Sequence, residues 1–372
     1  MSESALFQPL HMRGLDLANR IVIAPMCQYS AQDGCMNDWH LIHLGQLAIS
    51  GAALLTIEAT AVIPDGRITY ADVGLYNDET ESAMKRVVDG IRQWSKMPIG
   101  IQLSHAGRKA STEVPWKGGG QLSPADPSGW QTVGPSDIPF RHGDISPSGI
   151  DQDGLRKIRE DFVAAARRAH RLGLDLIQLH AAHGYLLHQF LSPLSNQRTD
   201  NYGGNIQNRM RFPLEVFEAV REVFPTEKPV SVRVSATDWV YDGLGIEETV
   251  IFAKALEGKG CDAIHVSSGG NDPAQKIPVG PSYQVPLARA VKAAVGIPVV
   301  AVGLITSFEQ ADAIVSTGDA DVIALARAIL YDPRWPWHAA AQLGATVRVP
   351  NQYLRSQPRL LPHLLESDQV TR

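Results

Sequence analysis

Short apolar runs rich in valine, isoleucine and leucine recur along the chain, and polar or glycine-containing segments follow them. Apolar runs of this length are typical of strands that are buried on both faces, as in a parallel sheet. We interpret eight of these runs as strands, at residues 21–24, 54–58, 99–103, 174–179, 230–234, 263–266, 299–302 and 322–325.

Segments with helical periodicity lie between most of the predicted strands, for example at residues 155–172, 206–223 and 246–256. Eight alternations of strand and helix predict an α/β fold, a closed (β/α)₈ TIM barrel, formed by one domain over residues 1–372. An open, doubly wound sheet is the alternative, because periodicity alone does not prove that the sheet closes.

Two segments depart from this alternation. Residues 110–152 are rich in glycine, proline, serine and tryptophan, and they form an unusually long connection after the third predicted strand. A connection of this length favours a functional excursion over a simple turn. Residues 348–372 carry several prolines and arginines and are too short for a domain. They are either a loose end or an arm that docks on another surface.

The overall composition excludes several classes of partner. Hydrophobic residues make up 44% and charged residues 20% of the chain, which is ordinary for a globular protein with a large core. The net charge is −5 and the sequence pI about 6.2, and the lysines and arginines are scattered. The sequence therefore predicts neither a nucleic-acid partner nor an anionic membrane surface as partner.

The cysteines and the N-terminal segment indicate the compartment. Cys27, Cys35 and Cys261 form no C-x-x-C pair, which favours a reducing environment. The first ten residues lack the charged start and apolar run of a secretory signal. No apolar stretch reaches the roughly 18 residues that a membrane span needs. We therefore expect a cytoplasmic protein.

Polar and small residues gather directly after most of the predicted strands. In barrels of this type the reactive groups lie at the carboxyl ends of the strands, so these residues are expected to share one rim. They are residues 24–29, 59–60, 102–109 and 180–185, followed by Arg233, Gly303 and residues 326–327.

His180, His183 and Tyr185 are the first candidates for catalysis. Two neutral imidazoles that donate to one substrate oxygen would stabilise negative charge developing there. The phenol of Tyr185 offers a general acid two residues further on. A zinc site and two buried structural histidines are the alternatives. We predict no metal, because neither an H-E-x-x-H helix nor a cysteine cluster accompanies the pair.

Arg233 lies within an apolar strand and needs an anionic partner, because its guanidinium does not lose its charge. An internal carboxylate such as Glu58 and a reduced flavin are equally compatible with this requirement. Gly303, Ala326 and Arg327 follow strands seven and eight, where barrels commonly bind phosphate; an ordinary surface arginine is the alternative. The chain contains no G-x-G-x-x-G and no P-loop motif, so a mononucleotide is favoured over a dinucleotide module.

Several motifs in the expected order resemble the old yellow enzyme family of FMN-dependent ene-reductases. The resemblance is narrower to its bacterial branch of xenobiotic reductase A and thermostable ene-reductases, the NADPH dehydrogenase type. It covers essentially the whole chain. The motifs are NRIVIAPMCQY at 19–29, DWH at 38–40, EATA at 58–61, QLSHAGRK at 102–109, HAAHGY at 180–185, FLSP at 190–193, NQRTD at 196–200, YGG at 202–204 and NR at 208–209.

The resemblance implies a role for each candidate. Arg233 would face the N1–O2 edge of the flavin, and Gly303, Ala326 and Arg327 would hold its phosphate. His180 and His183 would bind the substrate oxygen, Tyr29 would line the pocket, and Tyr185 would donate the proton. The residues implied to lie at the flavin ring are Ala24, Pro25, Met26, Cys27, Ala59 and Gln102, with Cys27 tuning the reduction potential.

Two positions depart from the family pattern. Ala326 stands where relatives carry glycine, so its methyl group is expected either to crowd the phosphate or to favour one backbone conformation. Val302 stands where xenobiotic reductase A carries tryptophan, which predicts a roomier pocket. In this branch a C-terminal side chain reaches the neighbouring subunit's site. Arg355 is the corresponding candidate here, which implies a homodimer or homotetramer.

The implied reaction is a ping-pong cycle with NADPH or NADH as hydride donor. Hydride passes through FMN N5 to the β-carbon of an α,β-unsaturated carbonyl or nitro compound, and Tyr185 protonates the α-carbon. Three alternatives remain open at this point. One is a dienoyl-CoA-type reductase, although three dispersed cysteines are too few for its iron–sulfur cluster. The others are a cofactor-free lyase using Lys109 as a Schiff base and a flavin-binding scaffold without turnover.

Overall fold

Eight parallel strands close into a barrel in the computed structural model, which describes residues 4–368. Neighbouring strands follow chain order, and the last strand pairs with the first, so the open doubly wound alternative is wrong. All eight predicted strands are confirmed. The barrel strands β1 to β8 are Ile21–Ile23, Leu54–Ala61, Ile99–Ser104, Leu176–Ala181, Val230–Ser235, Ala263–Ser267, Val299–Ala301 and Val322–Leu325.

Eleven α-helices within residues 4–368 cover the barrel and its edges. The predicted helix at 206–223 is divided at Met210. Pro213 in the following segment has no N–H to donate to the carbonyl of Arg209, so the helical hydrogen-bond ladder is interrupted there. The helices α1 to α11 are Asp38–Ala48, Asp78–Arg92, Gln152–Arg171, Leu186–Leu191, Ile206–Arg209, Arg211–Val223, Ile246–Gly258, Val285–Lys292, Phe308–Ser316, Arg327–Tyr331 and Trp335–Leu343.

The main core lies between the strands and the surrounding helices. Phe162 of α3 and Phe212 and Phe217 of α6 are fully buried there. The antiparallel hairpin of Leu10–Met12 and Leu15–Leu17 packs its apolar residues against the lower ends of the strands, including Leu54 of β2. Each strand is therefore buried on both faces, which explains the nearly continuous apolar runs.

The excursion after β3 is tied onto the upper rim of the barrel. It contains the short 3₁₀ turn Pro115–Lys117 and a parallel pair of Val133–Gly134 with Ser148–Gly149. The buried guanidinium of Arg108 donates to the carbonyls of Ile138 and Pro139, each at 3.3 Å, and to that of Asn271 at 2.6 Å. These bonds place the excursion beside the carboxyl ends of the strands.

The C-terminal segment docks on its own chain through residue 368. Val347–Val349 pairs in parallel with Leu365–Ser367, and this pair packs against Ala340 of α11. The last part of the predicted arm, residues 369–372, lies outside the described residues. Within the described part of the chain, none of the helices is both long and apolar enough to cross a membrane.

Candidate active site

His180 lies near the end of β4, and its Nε2 faces His183 Nδ1. Its Nδ1 accepts a hydrogen bond from the backbone N–H of Ala182 at 3.3 Å. A neutral imidazole whose Nδ1 accepts must carry its hydrogen on Nε2. On the neighbouring strand, Arg233 is the direct pairing partner of His180. The register of β4 and β5 therefore places both groups in one layer of the barrel.

His183 follows in the loop after β4 with a left-handed backbone, at φ 59°. This conformation is uncommon for a residue with a side chain and persists where neighbouring contacts hold it. Its N–H donates to Ser235 Oγ at 2.9 Å, and its carbonyl accepts from Lys109 Nζ at 2.8 Å. The backbone of His183 is thus held from two directions.

The two histidine rings stand nearly perpendicular, with centroids 5.1 Å apart and 3.4 Å between His180 Nε2 and His183 Nδ1. Burial, and then the positive charge of Arg233, lowers the pKa of both imidazoles well below the ordinary value. Both rings are therefore neutral hydrogen-bond donors or acceptors. Of the residues that the structure describes, no third histidine, cysteine or carboxylate joins them in an arrangement that could hold a metal ion.

Tyr185 stands at the start of α4 and packs edge-on against His180, with ring centroids 4.9 Å apart. It shares a small apolar cluster with Tyr29 and Cys27. Burial raises the pKa of the Tyr185 hydroxyl well above its ordinary value. The group therefore keeps its proton at neutral pH and can donate it only to a strongly basic centre.

Arg233 is 92% buried, since only 8% of its surface is exposed. Among the described residues, its Nε has no hydrogen-bond partner. Glu58 does not neutralise it: the Glu58 carboxylate accepts from the Gln28 N–H at 2.8 Å and lies 3.7 Å from His40 Nε2. Burial lowers the pKa of Arg233 to about 10, so it stays positively charged at neutral pH. The ion pair with Glu58, which the sequence left open as an alternative for Arg233, does not form.

A cavity of about 290 Å³ extends from His183 and Arg233 to the loops after β7 and β8. Gly303 lines it with φ +116°, and a Cβ there would lie 2.5 Å from Gln284 Nε2, so only glycine fits. Ala326 has a negative φ of −118°, so this position does not need the positive φ that favours glycine. Arg327 lies beside it at the start of α10 and is exposed.

The remaining cofactor candidates lie directly after β1 or on β2 and β3. Ala24, Ala59 and Gln102 are buried, and Pro25, Met26 and Cys27 are half-buried. Gln102 Nε2 donates to Gln178 Oε1 at 2.8 Å, which fixes the orientation of its amide. Burial raises the pKa of the Cys27 thiol well above its ordinary value, so the sulfur stays protonated.

A second cavity lies between the rim and the excursion, lined by Tyr29, Lys109 and Phe140 among others. Tyr29 contacts Trp116 edge-on at 6.1 Å, and the Lys109 ammonium lies 4.5 Å from the Phe140 ring centre. Lys109 Nζ also donates to the carbonyls of His183 and Gly270, at 2.8 and 2.7 Å. These bonds occupy the amine that a Schiff-base mechanism would use.

The geometry agrees with comparisons to known proteins. The sequence profile of the NADH:flavin oxidoreductase / NADH oxidase family matches residues 5–345. The chain belongs to this family. Its membership confirms the resemblance to the old yellow enzymes and makes the chain a flavin-dependent oxidoreductase.

Individual relatives match over nearly their full length. The chain is 43% identical to an NADPH dehydrogenase of Geobacillus thermodenitrificans over 354 residues, covering 95% of this chain and 98% of the relative. It is 43% identical to an NADH:flavin oxidoreductase of Gibberella zeae, covering 93% and 88% respectively. The solved structure of morphinone reductase superposes with a TM-score of 0.76 at 27% identity, covering 99% of this chain and 95% of that one.

The structure places the sequence-predicted site residues of this flavin oxidoreductase at one rim, and Arg355 is the exception. Arg355 lies on the exposed 3₁₀ turn Asn351–Ser356, whose Tyr353 packs on Trp337 of α11. Within the described part of the chain, Arg355 lines neither of the two rim cavities. It does not reach the site of its own subunit.

Three polar residues at the rim were missed by the sequence analysis. Ser267 is the last residue of β6, Ser268 follows it, and Gln284 precedes α8; all three line the cavity beside His183. The strand-end rule, applied to β6, would have pointed to the two serines. No comparable signal marks Gln284, because it is brought to the rim by a loop of irregular structure.

Proposed function

We propose that the chain is an FMN-dependent ene-reductase that takes hydride from NADPH or NADH and reduces activated carbon–carbon double bonds. The observation that carries this proposal is the layout of the rim. A neutral histidine pair and a protonated tyrosine lie beside a buried arginine that has no carboxylate partner in residues 4–368. This set of groups suits binding of an oxygen, delivery of a proton and stabilisation of an anionic ring.

The unpartnered Nε of Arg233 fits a flavin. A buried cation with an unsatisfied donor strongly favours an anionic ligand, because the unpaired state is costly in free energy. Reduced flavin carries negative charge at N1 and O2, which matches a planar guanidinium fork. Ala24, Pro25, Met26, Cys27, Ala59 and Gln102 would then border the ring, as the family resemblance implies.

The cavity at Gly303, Ala326 and Arg327 fits the phosphate end of a mononucleotide. It connects directly to the surroundings of Arg233 and His183. The Arg327 guanidinium can form paired, charge-assisted hydrogen bonds with a phosphate. The positive φ of Gly303 leaves backbone close to the cavity without an intervening side chain. These features support FMN over a larger dinucleotide.

When bound, the flavin supplies hydride transfer; the protein's residues orient the substrate and supply the proton. His180 and His183 donate hydrogen bonds to the carbonyl or nitro oxygen and so make the β-carbon more electrophilic. Tyr185 lies against His180 and donates its proton to the α-carbon. Tyr29 and the excursion residue Phe140 line the neighbouring cavity, and Trp116 packs edge-on against Tyr29.

The similarity to an NADPH dehydrogenase and to an NADH:flavin oxidoreductase supports a nicotinamide as the hydride donor. We further propose a homodimer or homotetramer in which Arg355 reaches the neighbouring subunit's site. Two observations support this assignment: the turn that carries Arg355 is exposed, and Arg355 does not line the rim cavity of its own subunit.

The function is tested by the absorption spectrum of the purified protein. We expect a yellow protein whose flavin bands bleach on anaerobic addition of NADPH and return on addition of cyclohexenone. Chromatography of the released chromophore should identify FMN, and parallel titration with NADH measures the cofactor preference. A colourless protein, or a bleached spectrum that an enone does not restore, would contradict the proposal.

Replacement of Arg233 by methionine should weaken flavin binding by about 10- to 100-fold, because one charge-assisted contact in a buried site is lost. The dissociation constant can be measured from the fluorescence of the released flavin. Arg289→Met, at an exposed arginine that pairs with Asp319, is the matched control and should not change it. Equal affinity in the Arg233→Met variant would remove Arg233 from the cofactor site.

A further inference from the structure

The position of one hydrogen atom decides whether the histidine pair can act as two donors. Because His180 Nδ1 accepts from the Ala182 N–H, the ring hydrogen of His180 lies on Nε2. This nitrogen faces His183 Nδ1 at 3.4 Å. No backbone N–H contact of this kind sets the tautomer of His183 among the described hydrogen bonds. Its other ring nitrogen, Nε2, lies 2.8 Å from Ser267 Oγ.

The two neutral forms of His183 have different consequences. If Nε2 carries the hydrogen, it donates to Ser267, and Nδ1 merely accepts from His180. If Nδ1 carries the hydrogen, Nε2 must accept from the hydroxyl of Ser267. Only in the second form do both imidazoles present an N–H to the space between them, where a substrate oxygen can accept both.

The tautomer matters because the imidazole is neutral. Burial lowers the pKa of His183, and the positive charges of Arg233 and Lys109 and the neighbouring His180 and His188 lower it further. A protonated ring would donate from both nitrogens whatever Ser267 did. A neutral ring donates from one nitrogen only.

The neighbours of Ser267 direct its hydroxyl toward His183. The competing acceptor, Gln284 Oε1, lies 3.4 Å from Ser267 Oγ, a long and weak contact. That same oxygen already accepts from Ser268 Oγ at 2.6 Å. Gln284 Nε2 donates to the Val302 carbonyl at 2.8 Å, which fixes which end of the amide faces the serines.

Solvent is also excluded from this hydroxyl. Ser267 is 4% exposed and Ser268 7% exposed. His183 Nε2 lies 2.8 Å from Ser267 Oγ, and donation from the hydroxyl to this nitrogen satisfies both groups without the long contact to Gln284.

We propose that Ser267 is a positioning residue that selects the Nδ1–H form of His183 and thereby makes it the second donor to the substrate oxygen. Ser268 and Gln284 support it by occupying the competing acceptor. This inference rests on the proposed function of the histidine pair, but it concerns the tautomer, which can be measured separately from activity.

The direct test is ¹⁵N NMR of the flavin-loaded enzyme with cyclohexanone, an unreactive ketone, bound. We expect the His183 signals of the unmodified enzyme to show hydrogen on Nδ1, and those of Ser267→Ala to shift toward the Nε2–H form. Ser267→Thr, which keeps the hydroxyl, should restore the original signals. His183→Asn provides the assignment.

Three results would overturn the inference. The first is an Nε2–H form of His183 in the ketone-bound unmodified enzyme. The second is an unchanged tautomer in Ser267→Ala, and the third comes from the neighbouring serine. The neighbouring variant Ser268→Ala removes a similar buried hydroxyl and should shift the tautomer less. An equal or larger shift in Ser268→Ala would also count against Ser267.

Kinetics separate this inference from the proposed function. Ser267→Ala should lower kcat for cyclohexenone by about tenfold, less than removal of a whole donor, while the bound flavin spectrum is unchanged. A shifted tautomer with an unchanged kcat would leave the role of Ser267 intact and contradict the function proposed for the histidines. An unchanged tautomer would contradict the role of Ser267 whatever the rate.

Discussion

Replacing both His180 and His183 by alanine is expected to slow the reduction of cyclohexenone by at least about 10³-fold while flavin stays bound. One preorganised donor to a developing oxyanion commonly contributes about 10²- to 10³-fold in rate, and here two are removed. The facing nitrogens of the two rings lie 3.4 Å apart, and His180 is buried, so solvent is a poor replacement. Stopped-flow reoxidation of the reduced enzyme by the enone measures this step.

The single variants and a surface histidine provide the controls. His180→Ala and His183→Ala should each show a smaller loss than the double variant. His142→Ala, at an exposed position of the excursion, should react at the unmodified rate. Reoxidation of the double variant at the unmodified rate, with a normal flavin spectrum, would exclude the pair from catalysis.

Tyr185→Phe is expected to lower kcat for enones by about 10²- to 10⁴-fold, the usual contribution of a positioned general acid. Burial raises the pKa of Tyr185, so its hydroxyl is fully protonated in the unmodified enzyme. In the variant the α-carbon must take its proton from water. With an α-substituted enone, the stereochemical excess at that carbon should therefore fall together with the rate.

Tyr29→Phe is the matched control, because Tyr29 lies in the same small apolar cluster. We expect it to alter KM more than kcat and to leave the product's stereochemistry unchanged. If Tyr185→Phe kept the original stereochemical excess, the proton would have to come from a different group.

The barrel could be predicted because its strands are buried on both faces and therefore appear in the sequence as continuous apolar runs. The first and seventh strands are shorter in the structure than predicted: β1 ends at Ile23 and β7 at Ala301. The helix predicted at 206–223 is interrupted at Met210. The periodic apolar pattern does not show that Pro213 lacks the N–H that a continuous helix would need there. That the sheet closes into a barrel is established only by the pairing of the first and last strands in the structure.

The site was partly predictable for a related reason. His180 and Arg233 stand out in the sequence because they are polar residues near the carboxyl ends of apolar strands, where barrels of this type carry their reactive groups. The residues alone did not decide between Glu58 and an external anion as the partner of Arg233, since the sequence does not reveal that Glu58 accepts from the Gln28 N–H. Gln284 could not be predicted from the sequence. Its role depends on its distance to two serines, Ser267 and Ser268, that precede it in the chain by 17 and 16 residues.

The parallel pairing of Val347–Val349 with Leu365–Ser367 has a consequence for how the chain can change over time. It anchors both ends of residues 350–364, so that stretch forms a closed loop, which Tyr353 also holds against Trp337 of α11. Doubling such a loop adds only about 0.6 kcal/mol of closure entropy. Insertions around Arg355 therefore cost the barrel itself little stability, but they would change how far Arg355 reaches toward a neighbouring subunit.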